Sequence, residues 1–297
     1  NKIRFQLATE APIESTALIN QLGYLADTEV ARHIVNGSYD IPEEVDDKTK
    51  QLLEEIGRIG TRMKERSVSV DITPEEFCIF WRRVRESTSS SYSGIHFGHY
   101  RAAATSPLIS TFLARKISLV GRTGCPPERW GCGLTIMLEK IAGLALVNRL
   151  RAILLFEADA NMHNKLIFGD RMLSIARDEG LIPEEHFSDK GKTAEDGKLS
   201  NILLADISRQ KRRGMSKASE DAQNCYDRVH HAIMALCYLA VGVCEGSIRA
   251  MLRTIQIMKF YLRTGWGESR SFIGGDPTCI LHGLCQGNGA APASWLL

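Results

Sequence analysis

Apolar residues recur at helical spacing in two stretches near the start of the chain, residues 14–35 and residues 46–66. A spacing of three and four residues collects apolar side chains on one side of a helix, where they can pack against a core. Residues 39–47, between the two stretches, are acidic and contain a proline, which is typical of a loop. The pattern therefore predicts two helices that pack on the surface of the protein.

Residues that start helices mark further elements along the chain. Thr73, Pro74 and Glu76 supply an N-cap hydroxyl, a proline at the first helical position and a carboxylate at the third, and so predict a helix over residues 74–86. Asp159 is a second candidate N-cap residue. Comparable patterns predict helices over residues 107–119, 159–177, 193–210, 228–244 and 247–264.

Three short segments have the pattern of strands. Residues 67–72 alternate polar and apolar positions. Residues 134–138 and 151–155 are apolar runs joined by a connection that contains glycine, and we interpret them as two paired strands. Helices and strands together predict an α/β (α+β) fold.

The composition is that of a globular protein. Of the 297 residues, 44% are hydrophobic and 24% are charged, which excludes disordered and fibrous proteins. The longest uncharged apolar run, from Ala232 to Cys244, is shorter than a membrane-spanning helix requires, so we expect no contact with a membrane. The eight cysteines form no C-x-x-C pair, which favours reduced thiols in an intracellular protein over a zinc site. The chain begins at Asn1, as expected of a piece of a longer protein.

The charges are distributed unevenly. Residues 1–60 contain six basic and eleven acidic side chains, whereas residues 201–270 contain eleven basic and six acidic ones. The basic end is where an anionic partner would bind. Four basic residues of the predicted helix over residues 247–264 can follow a nucleic-acid backbone, and a solvated basic helix face is an equal alternative. These residues are Arg249, Arg253, Lys259 and Arg263.

The most informative segment is residues 220–228, in which Asp221 is followed five positions later by Tyr226 and then by Asp227. Taken alone, an aspartate that caps the following helix would explain this spacing. The spacing also resembles motif A of the reverse transcriptases.

Several other segments resemble conserved blocks of the reverse transcriptases of non-LTR retrotransposons, in the order that this family shows. They are Pro127, Trp130 and Lys140, then residues 150–155, residues 164–173, residues 181–193 and residues 283–289. The last of these contains the G-x-x-Q-G pattern of motif B. The resemblance covers residues 90–297, and it implies the fingers and a partial palm of a right-hand polymerase. It divides the chain into a helical extension (residues 1–89), fingers (90–210) and partial palm (211–297).

The resemblance also implies an activity, RNA-directed DNA synthesis on a DNA primer from dNTPs, using two Mg²⁺ ions. Asp221 and the carbonyl of Ala222 match metal ligands. Tyr226 matches the ring that excludes a ribose 2′-hydroxyl, and Arg151 matches the arginine that contacts the triphosphate. The last two matching positions, which line the nucleotide pocket, are Gln286 and Gly287. The expected location is the nucleus or the cytoplasm.

The sequence departs from the family in three places. No Asp-Asp block of motif C follows Gln286 before the chain ends at Leu297, so we expect this piece not to polymerise alone. Residues 215–220 are more polar than a core palm strand. Ser188 and Asp189 replace the glycine that usually precedes the turn at Lys190. Two alternatives therefore stay open, a non-catalytic remnant that binds nucleic acid and a structural helical protein; the oligomeric state is not indicated.

Overall fold

The computed structural model describes residues 21–87, 91–144, 146, 149–189, 191–218, 225–276 and 280–297. The helices are α1 (Glu29–Val35), α2 (Asp47–Arg62), α3 (Pro74–Arg83), α4 (Phe97–Ala103), α5 (Pro107–Thr123), α6 (Ala158–Asn164), α7 (Leu173–Asp178), α8 (Ala194–Gln210), α9 (His231–Ala240), α10 (Glu245–Gln256) and α11 (Ala291–Leu296). A π-helical turn, Lys165–Met172, joins α6 to α7, and 3₁₀ turns cover Glu128–Gly131 and Cys225–Arg228. The strands are β1 (Cys132–Glu139), β2 (Leu150–Leu155), β3 (Lys259–Thr264), β4 (Gly267–Glu268) and β5 (Ile273–Gly274).

Local capping explains where several helices begin. The Asp46 side chain accepts hydrogen bonds from the amides of Lys48 and Thr49 at the start of α2. Thr73 and Glu76 form a reciprocal capping box at the start of α3, and Thr193 begins α8 in the same way with the carboxylate of Asp196. The helices predicted over residues 46–66, 74–86, 107–119 and 193–210 are confirmed.

The sheet is small and mixed. β1 pairs with β2 in antiparallel register, from Leu134 opposite Leu155 to Glu139 opposite Leu150, which confirms the predicted strand pair. β1 also pairs with β3 in parallel register, and β4 and β5 pair with β3 in antiparallel register. Helices and a mixed sheet together give the predicted α/β class.

The helix predicted over residues 247–264 is wrong in its second half. Helix α10 ends at Gln256, and residues 259–264 form β3. Phe260 is buried beneath the sheet while Lys259 and Arg263 are exposed, so the segment has the alternation of a strand. The strand pairs with β1 and buries Phe260.

Three other predicted elements differ from the structure. Residues 67–72 have no regular secondary structure and pair with no described strand; the amide of Ile72 donates instead to Ser118 Oγ of α5, at 2.8 Å. Within residues 228–244, Arg228 ends a 3₁₀ turn and the α-helix is confined to α9. It ends before Gly242, which has φ +88° and lies so close to the Arg66 carbonyl that a Cβ would be 2.6 Å away. Residues 14–20 of the helix predicted over residues 14–35 lie outside the described residues, and α1 covers its last seven residues.

The largest hydrophobic cluster joins side chains from all three predicted segments of the chain. Leu53 of α2, Phe168 of the π-helical turn and Leu236 of α9 belong to it, and each is at most 2% exposed. A second cluster surrounds the stacked rings of Trp81 and Tyr100, between α3, α4, α5 and α6. The first cluster holds the sheet and the C-terminal loops in place. The division of the chain at residues 89 and 210 remains a prediction.

No helix in the described part of the chain is both long enough and apolar enough to cross a membrane.

Candidate nucleotide and nucleic-acid site

The turn that contains Tyr226 lies against the segment that resembles motif B. The Leu284 amide donates a hydrogen bond to the Tyr226 carbonyl, with an N–O distance of 2.7 Å. Gly283 has φ +78°, and a Cβ there would lie 2.7 Å from the Tyr226 carbonyl oxygen and from the Asp227 Cα. Only glycine permits such a close approach. Two segments separated by more than fifty residues are therefore in direct backbone contact.

Gln286 and Gly287 continue this segment onto strand β2. The Leu154 amide donates to the Gln286 carbonyl at 2.8 Å. Gly287 has φ +113°, and a Cβ on it would lie 2.1 Å from the Leu154 carbonyl oxygen. On the other side, Asn161 of α6 donates through Nδ2 to the Gly287 carbonyl and accepts from the Gly289 amide. The segment is thus held between β2 and α6.

Arg151 lies on the same strand, three residues before Leu154, and is exposed. Successive strand residues point to opposite faces, so Arg151 projects from the open face of the sheet while Leu154 is buried beneath it. Backbone contacts thus link the Gln286–Gly287 segment both to the strand that bears Arg151 and to the Tyr226 turn, while the Arg151 side chain points to the other face of that strand.

The side chain of Gln286 is incompletely satisfied. Its Oε1 atom is buried and has no hydrogen-bond partner among the described residues, and the same holds for Asn288 Nδ2. A buried polar atom without a partner is costly, and side-chain atoms of Trp81, His230, Gln256 and His282 share this feature elsewhere in the described residues.

Asp221 and Ala222, the predicted metal ligands, lie outside the described residues. Within the described ranges, no group of three or more His, Cys, Asp or Glu side chains is arranged to hold a metal ion. The described residues alone thus do not form a magnesium site. Binding of Mg²⁺ would require Asp221 and Ala222, the two predicted ligands.

The four basic residues predicted on one helix are divided between two elements. Arg249 and Arg253 lie on α10, where Arg249 is half-buried against Gly124. Lys259 and Arg263 lie on β3 and are exposed. The prediction of a single basic helix is therefore wrong, because residues 259–264 pair with β1.

The strand register places Lys259 and Arg263 on the same face of the sheet as Arg151, with β1 between them and with Lys259 opposite Cys132. In the register Leu138 is opposite Arg151 and Ile136 is opposite Arg263, and the side chains of these four residues share one face of the sheet. The opposite face is covered by the core. The open face therefore carries three cationic side chains, one of which, Arg263, also pairs with Glu268 at 2.8 Å.

An aromatic cluster of Tyr92, Tyr261 and Phe272 adjoins this open face. Tyr261, between Lys259 and Arg263 on the same face of β3, stacks on Phe272 with ring centroids 4.2 Å apart. Tyr92 contacts both rings, at 5.0 and 5.1 Å. No sequence pattern indicates this cluster, because Tyr92 lies in a loop rich in serine and glycine that has no periodic pattern.

Trp130, part of the first block that resembles the family, belongs to a buried polar cluster. Its Nε1 donates to Asp159 Oδ1 at 2.9 Å, and Arg129 forms ion pairs with both Asp159 and Glu157. Both carboxylates are buried. Asp159 was predicted to cap a helix, but the residue that precedes α6 is Glu157, and the carboxylate of Asp159 is engaged by Arg129 and Trp130 instead.

Two buried histidines support the motif-B-like segment. His231 Nε2 donates to the Gly283 carbonyl at 2.7 Å, and Gln256 Nε2 lies 3.1 Å from Nδ1, which fixes the neutral tautomer. His163 supports the same segment indirectly, because its neighbour Asn164 donates to Asn288 at 3.0 Å. Burial lowers the pKa of His231 to about 3 and the pKa of His163 to about 4.

These pKa values predict that the protein loses stability in mild acid. Histidine in the unfolded chain binds a proton near pH 6.5, whereas His231 and His163 stay neutral in the folded protein until the pH falls well below that value. The two histidines therefore contribute fully to the free energy of unfolding above about pH 6.5, and this contribution is lost as the pH falls towards the folded-state pKa. At pH 5 each histidine lowers the free energy of unfolding by about 2 kcal/mol relative to neutral pH. Urea unfolding at neutral pH and at pH 5 measures this loss of stability.

His231→Gln should lower stability at neutral pH and reduce the pH dependence by about 2 kcal/mol. His33→Gln, in which the replaced histidine is exposed on α1, is the matched control. A pH dependence that is identical in the two variants would contradict the role of His231.

No model of a known protein family matches the chain, and no curated protein matches it either. The assignment of function therefore depends on the sequence blocks and on the geometry described above.

Proposed function

We propose that the chain is the fingers and the first half of the palm of an RNA-directed DNA polymerase from a non-LTR retroelement. The observation that carries the proposal is the pair of backbone contacts made by the motif-B-like segment, from Leu284 to Tyr226 and from Gln286 to Leu154 of the strand that bears Arg151. Three blocks that resemble the family in sequence are thereby neighbours in space. This adjacency supports the proposal over accidental matches in a structural helical protein.

Each residue of the proposed site has a distinct task. Asp221 and the Ala222 carbonyl would hold Mg²⁺, which neutralises negative charge on the phosphates of the incoming nucleotide. Arg151 contributes a guanidinium group with the geometry to bind phosphate oxygens. Tyr226 packs against the sugar and leaves no space for a 2′-hydroxyl. Gln286 and Gly287 would line the nucleotide pocket, as their match to motif B implies.

The proposal predicts primer extension on an RNA template by the chain continued in frame through a motif C block. Extension requires dNTPs and Mg²⁺, and Asp221→Asn should abolish it without weakening binding of the primer–template, because the substitution removes metal binding and leaves the duplex contacts. Asp40→Asn, an equivalent change in an exposed loop, should leave extension unchanged. Full extension by the Asp221→Asn protein would refute the proposal.

The same primer-extension assay tests whether Tyr226 selects the sugar of the incoming nucleotide. Tyr226→Ala should raise the ratio of ribonucleotide to deoxyribonucleotide incorporation, whereas Tyr226→Phe, which retains the ring, should keep the original ratio. If the ratio does not differ between the two variants, Tyr226 is not the residue that selects the sugar.

The open face of the sheet favours a second candidate function, binding of single-stranded nucleic acid without catalysis. Arg151, Lys259 and Arg263 lie on one face with Tyr261, whose ring stacks on Phe272. Cationic side chains that contact phosphates, together with aromatic rings that stack on bases, are the features of proteins that bind single strands. Salt-dependent binding of a labelled oligonucleotide, without extension by the continued chain, would support this second function over the first.

A further inference from the structure

Helix α8 carries an apolar face that no described residue covers. Its large apolar side chains are 46% to 59% exposed, and none of its 17 residues is buried. Leu199, Ile202, Leu203 and Ile207 follow one another at intervals that place them in one stripe along the helix. A single helix of this length is only marginally stable in water, and helices in proteins gain most of their stability by packing such a stripe against a partner.

The charges at the two ends of α8 indicate what that partner is. Glu195 and Asp196 make the first turn acidic, while Arg209 closes the helix and is followed by the exposed residues Lys211 and Arg212. A parallel copy of the helix would bring like charges together at both ends. An antiparallel copy places each acidic end beside a basic end and also aligns the helix dipoles favourably.

We propose that α8 pairs with α8 of a second copy of this chain in antiparallel orientation, around a two-fold axis at Leu203. Residues equally distant from Leu203 then face each other, so that Leu199 meets the second copy's Ile207 and Glu195 meets the second copy's Lys211. Each of these pairs occurs twice, as the symmetry of such a dimer requires. The inference does not depend on the proposed catalytic function, since none of these residues belongs to the nucleotide site.

The interface is small, and its affinity is correspondingly low. A helix of 17 residues is about 25 Å long, so one helix pair buries less surface than a permanent dimer requires. The pairing is therefore a reversible monomer–dimer equilibrium that depends on protein concentration. Sedimentation velocity over a wide concentration range measures it directly.

Leu203→Glu should weaken dimerisation by at least roughly 100-fold, because two carboxylates would face each other across the axis in an apolar contact. Ala205→Glu introduces the same side chain two residues away, on the opposite side of the helix, and should leave the equilibrium unchanged. Position 203 is half-exposed and glutamate is a good helix former, so both variants should fold. Circular dichroism verifies that the helical content is retained.

An exchange of charges distinguishes this pairing from general apolar association. Glu195→Lys alone and Lys211→Glu alone should each weaken the dimer by roughly five-fold, since each creates two contacts between like charges. The double variant restores opposite charges at both contacts and should restore dimerisation. A chain that is monomeric at every concentration would overturn the proposal. Association that persists in Leu203→Glu, or that the double variant fails to restore, would overturn it as well.

Discussion

Arg129→Met is expected to lower the free energy of unfolding by about 3–5 kcal/mol, because it removes the counter-charge of two buried carboxylates. Arg129 forms ion pairs with Glu157, which is fully buried, and with Asp159, which is 1% exposed. Burial alone would lower the pKa of the Arg129 guanidinium, but the hydrogen bond and the charge of Asp159 raise it overall. The arginine is therefore held in its charged form, and methionine, which replaces the apolar stem of arginine, removes the charged guanidinium group while keeping the packing of that stem.

Serine hydroxyls and the Tyr100 phenol complete this cluster. Ser91 and Ser93 donate to Glu157, and the Tyr100 hydroxyl accepts a hydrogen bond from Arg129 at 3.3 Å. The cluster thus connects the loop before α4 to the corner between β2 and α6, which also holds the motif-B-like segment. Loss of Arg129 should therefore loosen the proposed nucleotide pocket as well as the fold.

Urea unfolding of a matched set of variants tests this expectation. Arg58→Met removes an arginine whose ion pair with Glu55 on α2 is exposed, and it should change stability by less than about 1 kcal/mol. Combining Arg129→Met with Glu157→Gln and Asp159→Asn should recover much of the loss, since neutral amides need no counter-charge. Equal losses in Arg129→Met and Arg58→Met would show that the buried carboxylates are not held by Arg129.

The sequence alone predicts those elements whose determinants lie a few residues apart. The capping boxes of Thr73 with Glu76 and of Thr193 with Asp196 join residues three positions apart, so the start of α3 and of α8 can be read from the chain. The β1–β2 pair is predictable for a similar reason. Two short apolar runs with a tight connection have few other ways to bury their side chains.

Elements whose determinants are distant in the sequence were missed. Residues 259–264 become a strand because β1, more than a hundred residues earlier, offers a parallel edge, and a short apolar pattern cannot distinguish helix from strand. The residues next to Asp159 in the sequence favour a role as a helix N-cap. Its carboxylate instead pairs with Arg129, thirty residues earlier, and no pattern in the neighbouring sequence identifies that partner. The adjacency of Tyr226 and Leu284 was implied only by the resemblance to a family. The roles of Asp221 and Ala222 remain predictions.

Gly287→Ala is expected to cost about 3 kcal/mol or more in the free energy of unfolding, and to detach the motif-B-like segment from β2. Gly287 combines two constraints. Its φ of +113° is unfavourable for any residue with a Cβ, and that Cβ would lie 2.1 Å from the Leu154 carbonyl oxygen, far inside van der Waals contact. The backbone would have to move away from β2 to relieve the contact.

A control variant separates these two constraints. Gly180→Ala introduces the same methyl group at φ +67°, where nothing lies within 4 Å, and should cost only about 1–2 kcal/mol of left-handed backbone strain. Hydrogen exchange adds a local measurement, because the Leu154 amide donates to the Gln286 carbonyl and should lose protection in Gly287→Ala alone. If the Leu154 amide stays protected and the two substitutions cost the same, Gln286 and Gly287 do not dock on β2. The proposed nucleotide pocket would then lose the contact that places Gln286 on the strand of Arg151.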